Sequence, residues 1–532
     1  MTALHLNGND LTLEDFEQVV LHRRAVLLEP DAREQVARAR EVVEALVASD
    51  GTAYAITTGV GQLADVRISH EQVRQLQINL VRSHAAGVGE PLSEAESRAM
   101  ILLRANSLAK GASGVRPVVI DTLCNMLSRG VHPVIPSQGS VGASGDLAPL
   151  AHLALVLIGE GEAHYDGRRM PGVKAMKAAG IAPLRLEAKE AISLINGTQA
   201  MLGVGALALL ESRTLATTAD VIAAISLDVL QGTDVAFDER IQRVRPHAGQ
   251  ALVAKHLRKM LEGSALREHH RECKKVQDAY SLRCIPQVHG AVRDVLDYTR
   301  QVFEIEMNSA VDNPLVFVRK AAPDSAREKQ PGKIGIDLEQ HDASWQKVEG
   351  DVISGGNFHG QPIAFALDFL AIAIATLAGI SERRIERMVN PALSAGLPAF
   401  LAPSAGVNSG FMLLQVTAAA LVGENKVLGH PASLDSITTS GNQEDYVSMG
   451  MTSALKLRRV VENVRNVLAI EALTAAQAVD LWAPHKPGKR AQHALAEVRA
   501  VSRTVPEDRS LSSDIAKVAS VIREGKLAAV LR

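Results

Sequence analysis

The sequence predicts a mainly α protein built around long helices. Three observations predict it. Of 532 residues, 47% are hydrophobic but only 3% aromatic (9 Phe, 5 Tyr, 2 Trp), and an apolar complement dominated by Ala and Leu favours packed helices over a strand-rich sandwich. Apolar residues recur at helical spacing, as in Phe411, Leu414, Ala418 and Leu421. The stretch ALDFLAIAIATLAGISERRIERMV, Ala366 to Val389, is apolar nearly all round before it turns charged at Ser381. That is the pattern of a long helix buried in a bundle and emerging into solvent at its C-terminal end. Helices of this kind also imply packing between subunits.

Lys and Arg number 57 against 59 Asp and Glu, a formal charge of −2, so no basic excess points to nucleic acid. Disordered and collagen-like classes are excluded by composition. Three cysteines, Cys124, Cys273 and Cys284, form no CxxC pair, and a reducing cytoplasm is the expected setting. The opening MTALHLNGNDLTLEDF has neither a basic nor an apolar leader region. The longest apolar stretch, Phe365 to Ile380, is interrupted by Asp368 and is read as too short for a membrane span, which needs about 18 to 20 residues. The expected partner is a small molecule, with neither nucleic acid nor membrane.

Along the chain we expect an N-terminal region over residues 1–200, a central long-helix bundle over 201–480 and C-terminal surface helices over 481–532. The polar stretch Arg319 to Gly350, with two prolines, reads as an exposed loop or insertion. No internal repeat is present.

The most unusual segment is GSVGASGDLAPLAHL, Gly139 to Leu153, where Gly139, Gly142 and Gly145 bracket Ala143 and Ser144. Two readings stand. One is a tight turn with Asp146 capping the helix that follows. The other is a turn bent enough for the Gly145 nitrogen to attack the Ala143 carbonyl; loss of water from that ring and from Ser144 then leaves an electrophilic methylidene-imidazolone. Gln277, Tyr280 and Arg283 recur every three residues, placing an amide, a phenol and a guanidinium together. A guanidinium fork suits a carboxylate, although a solvated pair of Arg283 with Asp278 is the simpler reading. Glu424 continues the stripe of Phe411, Leu414, Ala418 and Leu421 and is expected to point inward, either for function or in a pair with Lys426 or a neighbouring arginine. His269, His270 and Cys273 in HHREC lie among charged residues and read as a solvated helix face. No metal is expected.

These residues carry a resemblance to the aromatic amino acid ammonia-lyases and aminomutases, which build a 4-methylidene-imidazol-5-one (MIO) cofactor from an Ala-Ser-Gly triplet inside ASGDL. The triplet here is Ala143, Ser144 and Gly145. Further motifs follow in the family's order: AYAITTGVG (Ala53 to Gly61), NLVRSHAAGVG (Asn79 to Gly89), LINGTQ (Leu194 to Gln199), VQDAYSLRCIPQVHG (Val276 to Gly290), NSAVDNPLVF (Asn308 to Phe317), ISGGNFHG (Ile353 to Gly360), NSGFM (Asn408 to Met412), ENK and TSGNQED. The resemblance implies a long-helix bundle of the aromatic amino acid ammonia-lyase (fumarase/aspartase-like) type and a homotetramer with sites shared between subunits. It makes Tyr54 a catalytic tyrosine on a lid loop, and Tyr280 and Asn196 neighbours of the prosthetic ring and amine. It gives Arg283 the substrate carboxylate, Gln277 a supporting role, and Glu424 and Phe358 the substrate's ring.

Ser83 and His84 resemble the substrate-selecting pair of the family's histidine-specific members, where tyrosine lyases carry His-Leu and phenylalanine lyases Phe-Leu. The implied reaction is non-oxidative deamination of L-histidine to trans-urocanate and ammonia. Three features depart from the pattern. Val60 stands where many relatives have Phe, Gln361 where histidine lyases often have an acid, and the 319–350 stretch is longer than usual. They keep open a relative acting on tyrosine, phenylalanine or a modified histidine such as ergothioneine. A non-catalytic helical assembly protein is the alternative from another class.

Overall fold

The computed structural model describes every residue except 1, 50–52, 54–55, 57, 60–65, 67, 70–71, 273–274, 320–333 and 336–348. Tyr54, Val60 and Cys273 therefore lie outside the described residues. Helices dominate as the composition predicts, the longest being Gln199–Val229, Ile285–Met307, Gln361–Val389 and Gly450–Leu481. Strands are short and form four small sheets among the described residues.

By its contacts the chain forms two compact units, each assembled from separate stretches. The first comprises Met1–Leu207, Arg300–Phe365 and Ala432–Leu455. At its centre runs the helix Glu94–Ala109, in which every residue from Glu96 to Ala109 is buried. A capping box starts this helix: the Ser93 side chain accepts the Glu96 amide, and the Glu96 carboxylate accepts the Ser93 amide at 2.7 Å. A helix buried all round must satisfy its polar side chains internally. Arg104 does so through the carbonyls of Ser193 (2.9 Å) and Asn196 (2.8 Å) and the Gln199 side chain, and burial lowers its guanidinium pKa to about 10. Lys189 and Asp312 form a wholly buried pair at 3.0 Å.

The loop expected over Arg319 to Gly350 is partly a sheet. Its described flanks, Leu315–Val318 and Gly350–Ile353, pair antiparallel with Val318 opposite Gly350, and Ile334–Gly335 adds a third strand. The β-branched and aromatic run LVFV on one side and DVI on the other supply the pairing surface that a count of polar residues hides.

The second unit comprises Ala208–Thr299, Ala366–Pro431 and Lys456–Arg532, which includes residues 481–532. Their helices, Lys489–Val501 and Ser512–Arg523, bury an apolar face that includes Leu495, Val498, Val518 and Ile522. The helix Gln361–Val389 is, by length and composition, apolar enough to cross a membrane, contrary to the reading of Phe365 to Ile380 as too short. Yet 61% of its most apolar window is buried within the chain, as in a core helix, and its Asp368 is ion-paired with Lys456.

Deep in this unit Glu471 accepts hydrogen bonds from Ser226 (2.7 Å), Ser381 (2.5 Å) and both arms of Arg384 (2.6 and 2.9 Å), with both charged side chains fully buried. Removing one partner strands the other charge in a medium that cannot solvate it. Arg384→Met is therefore expected to destabilise the fold by about 3 to 5 kcal/mol, measured as a lowered urea midpoint. An unchanged midpoint would show that the pair contributes nothing net.

Candidate active site

The segment from Gly139 to Asp146 folds into a tight turn in which Gly139, Gly142, Ser144 and Gly145 all have positive φ, +142°, +76°, +49° and +73°. Gly145 is required by more than its φ. A Cβ there would fall closer than 3.0 Å to the carbonyl of Gly197, a separation that no real side chain tolerates. The backbone of Gly145 bridges to both Gly142 and Gly197, and Asn196 donates from Nδ2 to the Ser144 carbonyl at 2.6 Å. The other side-chain atom of Asn196, Oδ1, is buried with no partner among the described residues.

Asp146 occupies the position before the helix Leu147–Leu157, but its side chain does not cap that helix. Its wholly buried carboxylate instead accepts the amides of Ala200 (2.9 Å) and Met201 (2.8 Å) at the start of Gln199–Val229, and the Ser140 hydroxyl at 2.7 Å. Burial pushes this carboxyl up to about 6 against those donors. The capping reading is thus corrected: Asp146 caps a helix, but a remote one, and so ties the turn to the Asn196–Gly197 peptide.

A second segment packs onto the same turn. Met449 donates its amide to the Val141 carbonyl (2.8 Å), Ser448 its hydroxyl to the Gly142 carbonyl (3.3 Å), and the Ser144 hydroxyl donates to Glu444 Oε1 at 2.8 Å. The turn fits the expected cofactor triplet on three counts: no Cβ fits at Gly145, the Ser144 carbonyl is held by Asn196, and the buried Asn196 Oδ1 beside it has no partner among the described residues.

Also in the first unit, Ser83 and His84 close the helix Val73–His84. His84 Nδ1 lies 2.8 Å from the Leu80 carbonyl and 3.1 Å from Ser83 Oγ. A carbonyl only accepts, so Nδ1 carries the proton and Nε2 of the neutral ring is left as an acceptor. Phe358 is half-buried in the loop before Gln361–Val389, which is pinned by Asn357 Nδ2 on the Ala310 carbonyl (3.1 Å).

In the second unit, Tyr280 and Arg283 share the short helix Tyr280–Arg283. The guanidinium lies 4.7 Å over the Tyr280 ring, a cation–π arrangement that leaves its fork open. It does not pair with Asp278, which instead accepts the Thr233 amide (2.7 Å) and binds Lys275 (2.9 Å). Gln277 is exposed on the segment before that helix. Glu424 corrects an expectation. The buried positions of Met412–Leu428 are Leu414, Ala418 and Asn425, and the Glu424 side chain is 40% exposed. Hydrogen bonds from Asn463 (2.8 Å) and then Arg459 (3.3 Å) hold its carboxyl below the usual range. His270 is likewise turned into the protein rather than solvated, while His269 stacks on His485 at 4.0 Å. Among the described residues no group of three or more His, Cys, Asp and Glu could hold a metal ion.

Residues 11–500 match the model of the aromatic amino acid lyase family. The chain belongs to the aromatic amino acid lyase family. This lyase, a carbon–nitrogen lyase by family, is 66% identical over its full length to the whole of a histidine ammonia-lyase of Koribacter versatilis (strain Ellin345). Among solved structures, a histidine ammonia-lyase from Trypanosoma cruzi is 40% identical, with a TM-score of 0.86 over 100% of this chain and 95% of that one. A tyrosine aminomutase from Streptomyces globisporus is 36% identical, with a TM-score of 0.88 over 99% of this chain and 98% of that one. The long-helix fold expected from the resemblance is therefore the fold of this lyase.

Two residues of this lyase at the turn escape a reading of the sequence. Arg104, inside the featureless run ILLRANSLA, holds the carbonyls of Ser193 and Asn196; no local pattern marks it. Glu444 stands within TSGNQED, which was legible as a motif but not as a contact of Ser144.

Proposed function

We propose that this lyase converts L-histidine to trans-urocanate and ammonia, using a 4-methylidene-imidazol-5-one formed autocatalytically from Ala143, Ser144 and Gly145. The Ala143–Gly145 turn carries the reading, because its positive φ angles and the steric exclusion at Gly145 bring the chain toward the compact geometry that ring closure demands. The prosthetic group supplies an electrophile that draws electrons from the bound amino acid and so eases departure of the amine.

The remaining roles rest on the chain's own side chains. Asn196 steadies the Ser144 carbonyl through Nδ2, and its unpaired Oδ1 suits an ammonium. Arg283, its plane set by the Tyr280 ring, presents two parallel N–H groups to the substrate carboxylate. We give Tyr54 and Tyr280 the proton transfers at the carbon that loses hydrogen, and Gln277 a supporting contact. At the ring end, His84 Nε2 and Glu424, kept ionised by Asn463 and Arg459, are acceptors for an imidazole N–H. Ser83 adds a hydroxyl and Phe358 an apolar wall. The deciding experiment follows ultraviolet absorbance with a panel of amino acids. Histidine should give the strongest urocanate-like signal, and no signal with any of them would end the reading as an enzyme of this class.

Arg283→Lys should raise the Michaelis constant for histidine by roughly ten- to a hundredfold, because an ammonium cannot make the two-pronged contact. Unchanged kinetics would remove Arg283 from the carboxylate site. We also propose a homotetramer whose sites are completed by different copies of the chain. Phe365, Phe369 and Ile372 stand exposed along one face of Gln361–Val389, with Leu413 and Val416 exposed on another helix. Light scattering in dilute neutral buffer should report four copies, and a monomer would contradict the assembly.

A further inference from the structure

We propose that Glu444 is the acid–base residue of cofactor formation, the group that removes the hydroxyl of Ser144 as water; this rests on the cofactor reading above. Glu444 touches the atom that must leave. Its Oε1 accepts the Ser144 hydroxyl at 2.8 Å, and its Oε2 accepts the Thr439 hydroxyl at 2.7 Å. Thr439 and Glu444 are also bridged through their backbones, the amide of each donating to the carbonyl of the other at 2.9 and 3.3 Å. The carboxylate is thus fixed at both oxygens and at its own peptide, on a segment that Ser448 and Met449 fasten to the turn. A carboxylate serving only to cap the loop has no need of Ser144, since Thr439 already satisfies that geometry.

Ring closure between the Gly145 nitrogen and the Ala143 carbonyl carbon releases one water. The second departs from Ser144. Its Cα–H bond breaks and that electron pair becomes the Cα–Cβ double bond, while the Cβ–Oγ bond breaks. The Glu444 carboxylate takes the Cα proton and delivers it to the departing oxygen, so water leaves and the carboxylate is restored. Nothing is oxidised or reduced, and no further reactant is consumed. Thr439 is a positioning residue, holding the oxygen that Ser144 does not use.

The test is the mass of the intact purified chain, which reads the modification without reference to turnover. Wild type should be lighter than its translated mass by about 36 Da, two waters. Glu444→Gln keeps an oxygen that accepts the Ser144 hydroxyl but cannot carry a proton, so the second elimination should slow roughly a hundredfold or more. The variant should then be lighter by only about 18 Da, with Ser144 still bearing its hydroxyl in the peptide spectrum. Glu444→Asp and Thr439→Val should give mixtures of the one-water and two-water species, and they carry the test if Glu444→Gln does not fold. Loss of both waters from Glu444→Gln, or from all three variants to the wild-type extent, overturns the assignment. Loss of neither water from a folded variant also overturns it, since the defect would then lie in ring closure. Wild type at its full translated mass would overturn the cofactor reading itself, and this inference with it.

Discussion

Ser144→Ala is expected to abolish deamination, by at least roughly a thousandfold, while leaving a folded chain lighter than its translated mass by at most the one water of ring closure, about 18 Da. The alanine side chain has no hydroxyl to lose, so neither the exocyclic methylidene nor its electrophilic carbon can form. The fold should persist because the substitution removes one hydrogen bond, to Glu444, a loss of about 1 kcal/mol, and leaves the bonds of Asn196 and Asp146 to the surrounding backbone intact. The positive φ of residue 144 strains serine and alanine alike. The checks are circular dichroism, intact mass and the histidine assay on one preparation. Turnover near wild type would exclude the triplet as the source of the electrophile, whatever the mass.

The helical architecture was legible because it is written in a repeated pattern. Long apolar runs with few breakers, such as Phe365 to Ile380 with its single Gly379 and no proline, have few other ways to satisfy their backbone. The turn at Gly139 to Gly145 was legible for the opposite reason, as three glycines in seven residues mark backbone that only glycine adopts with ease. What each side chain reaches was less visible. Asp146 was readable as a cap, but the amides it caps lie 54 and 55 positions later, at Ala200 and Met201. Local sequence carries no such address. Glu444 and Ser144 are 300 positions apart, and nothing in TSGNQED says which backbone it will lie against.

Glu424 shows how a correct pattern is extended too far. Phe411, Leu414 and Ala418 are buried as the periodicity required, but the next buried position is Asn425 rather than Glu424. Stepping from Leu421 by three instead of four rotated the inference off the buried face. The carboxylate consequently meets Asn463 and Arg459, one of the two outcomes that a buried or half-buried acid allows. His270 fails for a related reason: a run of charged neighbours describes a helix face only on average, and the helix ends at His269, so His270 follows it off that face and turns inward.

Replacing Ser83 by Phe together with His84 by Leu should weaken histidine turnover strongly and admit phenylalanine. His84 donates Nδ1–H to the Leu80 carbonyl, so that in the neutral tautomer Nε2 is the accepting nitrogen, and Ser83 adds a hydroxyl at the same helix end. A phenyl ring offers neither group a partner; Ser83 is exposed and His84 half-buried in the single chain, and each polar group that a bound substrate encloses and leaves unpaired costs about 1 to 3 kcal/mol, or roughly ten- to over a hundredfold in specificity. The double variant reverses the sign of that mismatch, since leucine and phenylalanine satisfy a benzene ring and leave an imidazole N–H without an acceptor. The ratio of specificity constants, histidine over phenylalanine, should therefore fall by roughly a hundredfold or more. Wild type measured side by side on histidine, tyrosine, phenylalanine and ergothioneine sets the reference. If any of the last three exceeds histidine there, the polar pair does not select the substrate, and the absence of a ring at Val60 becomes the first feature to test by Val60→Phe.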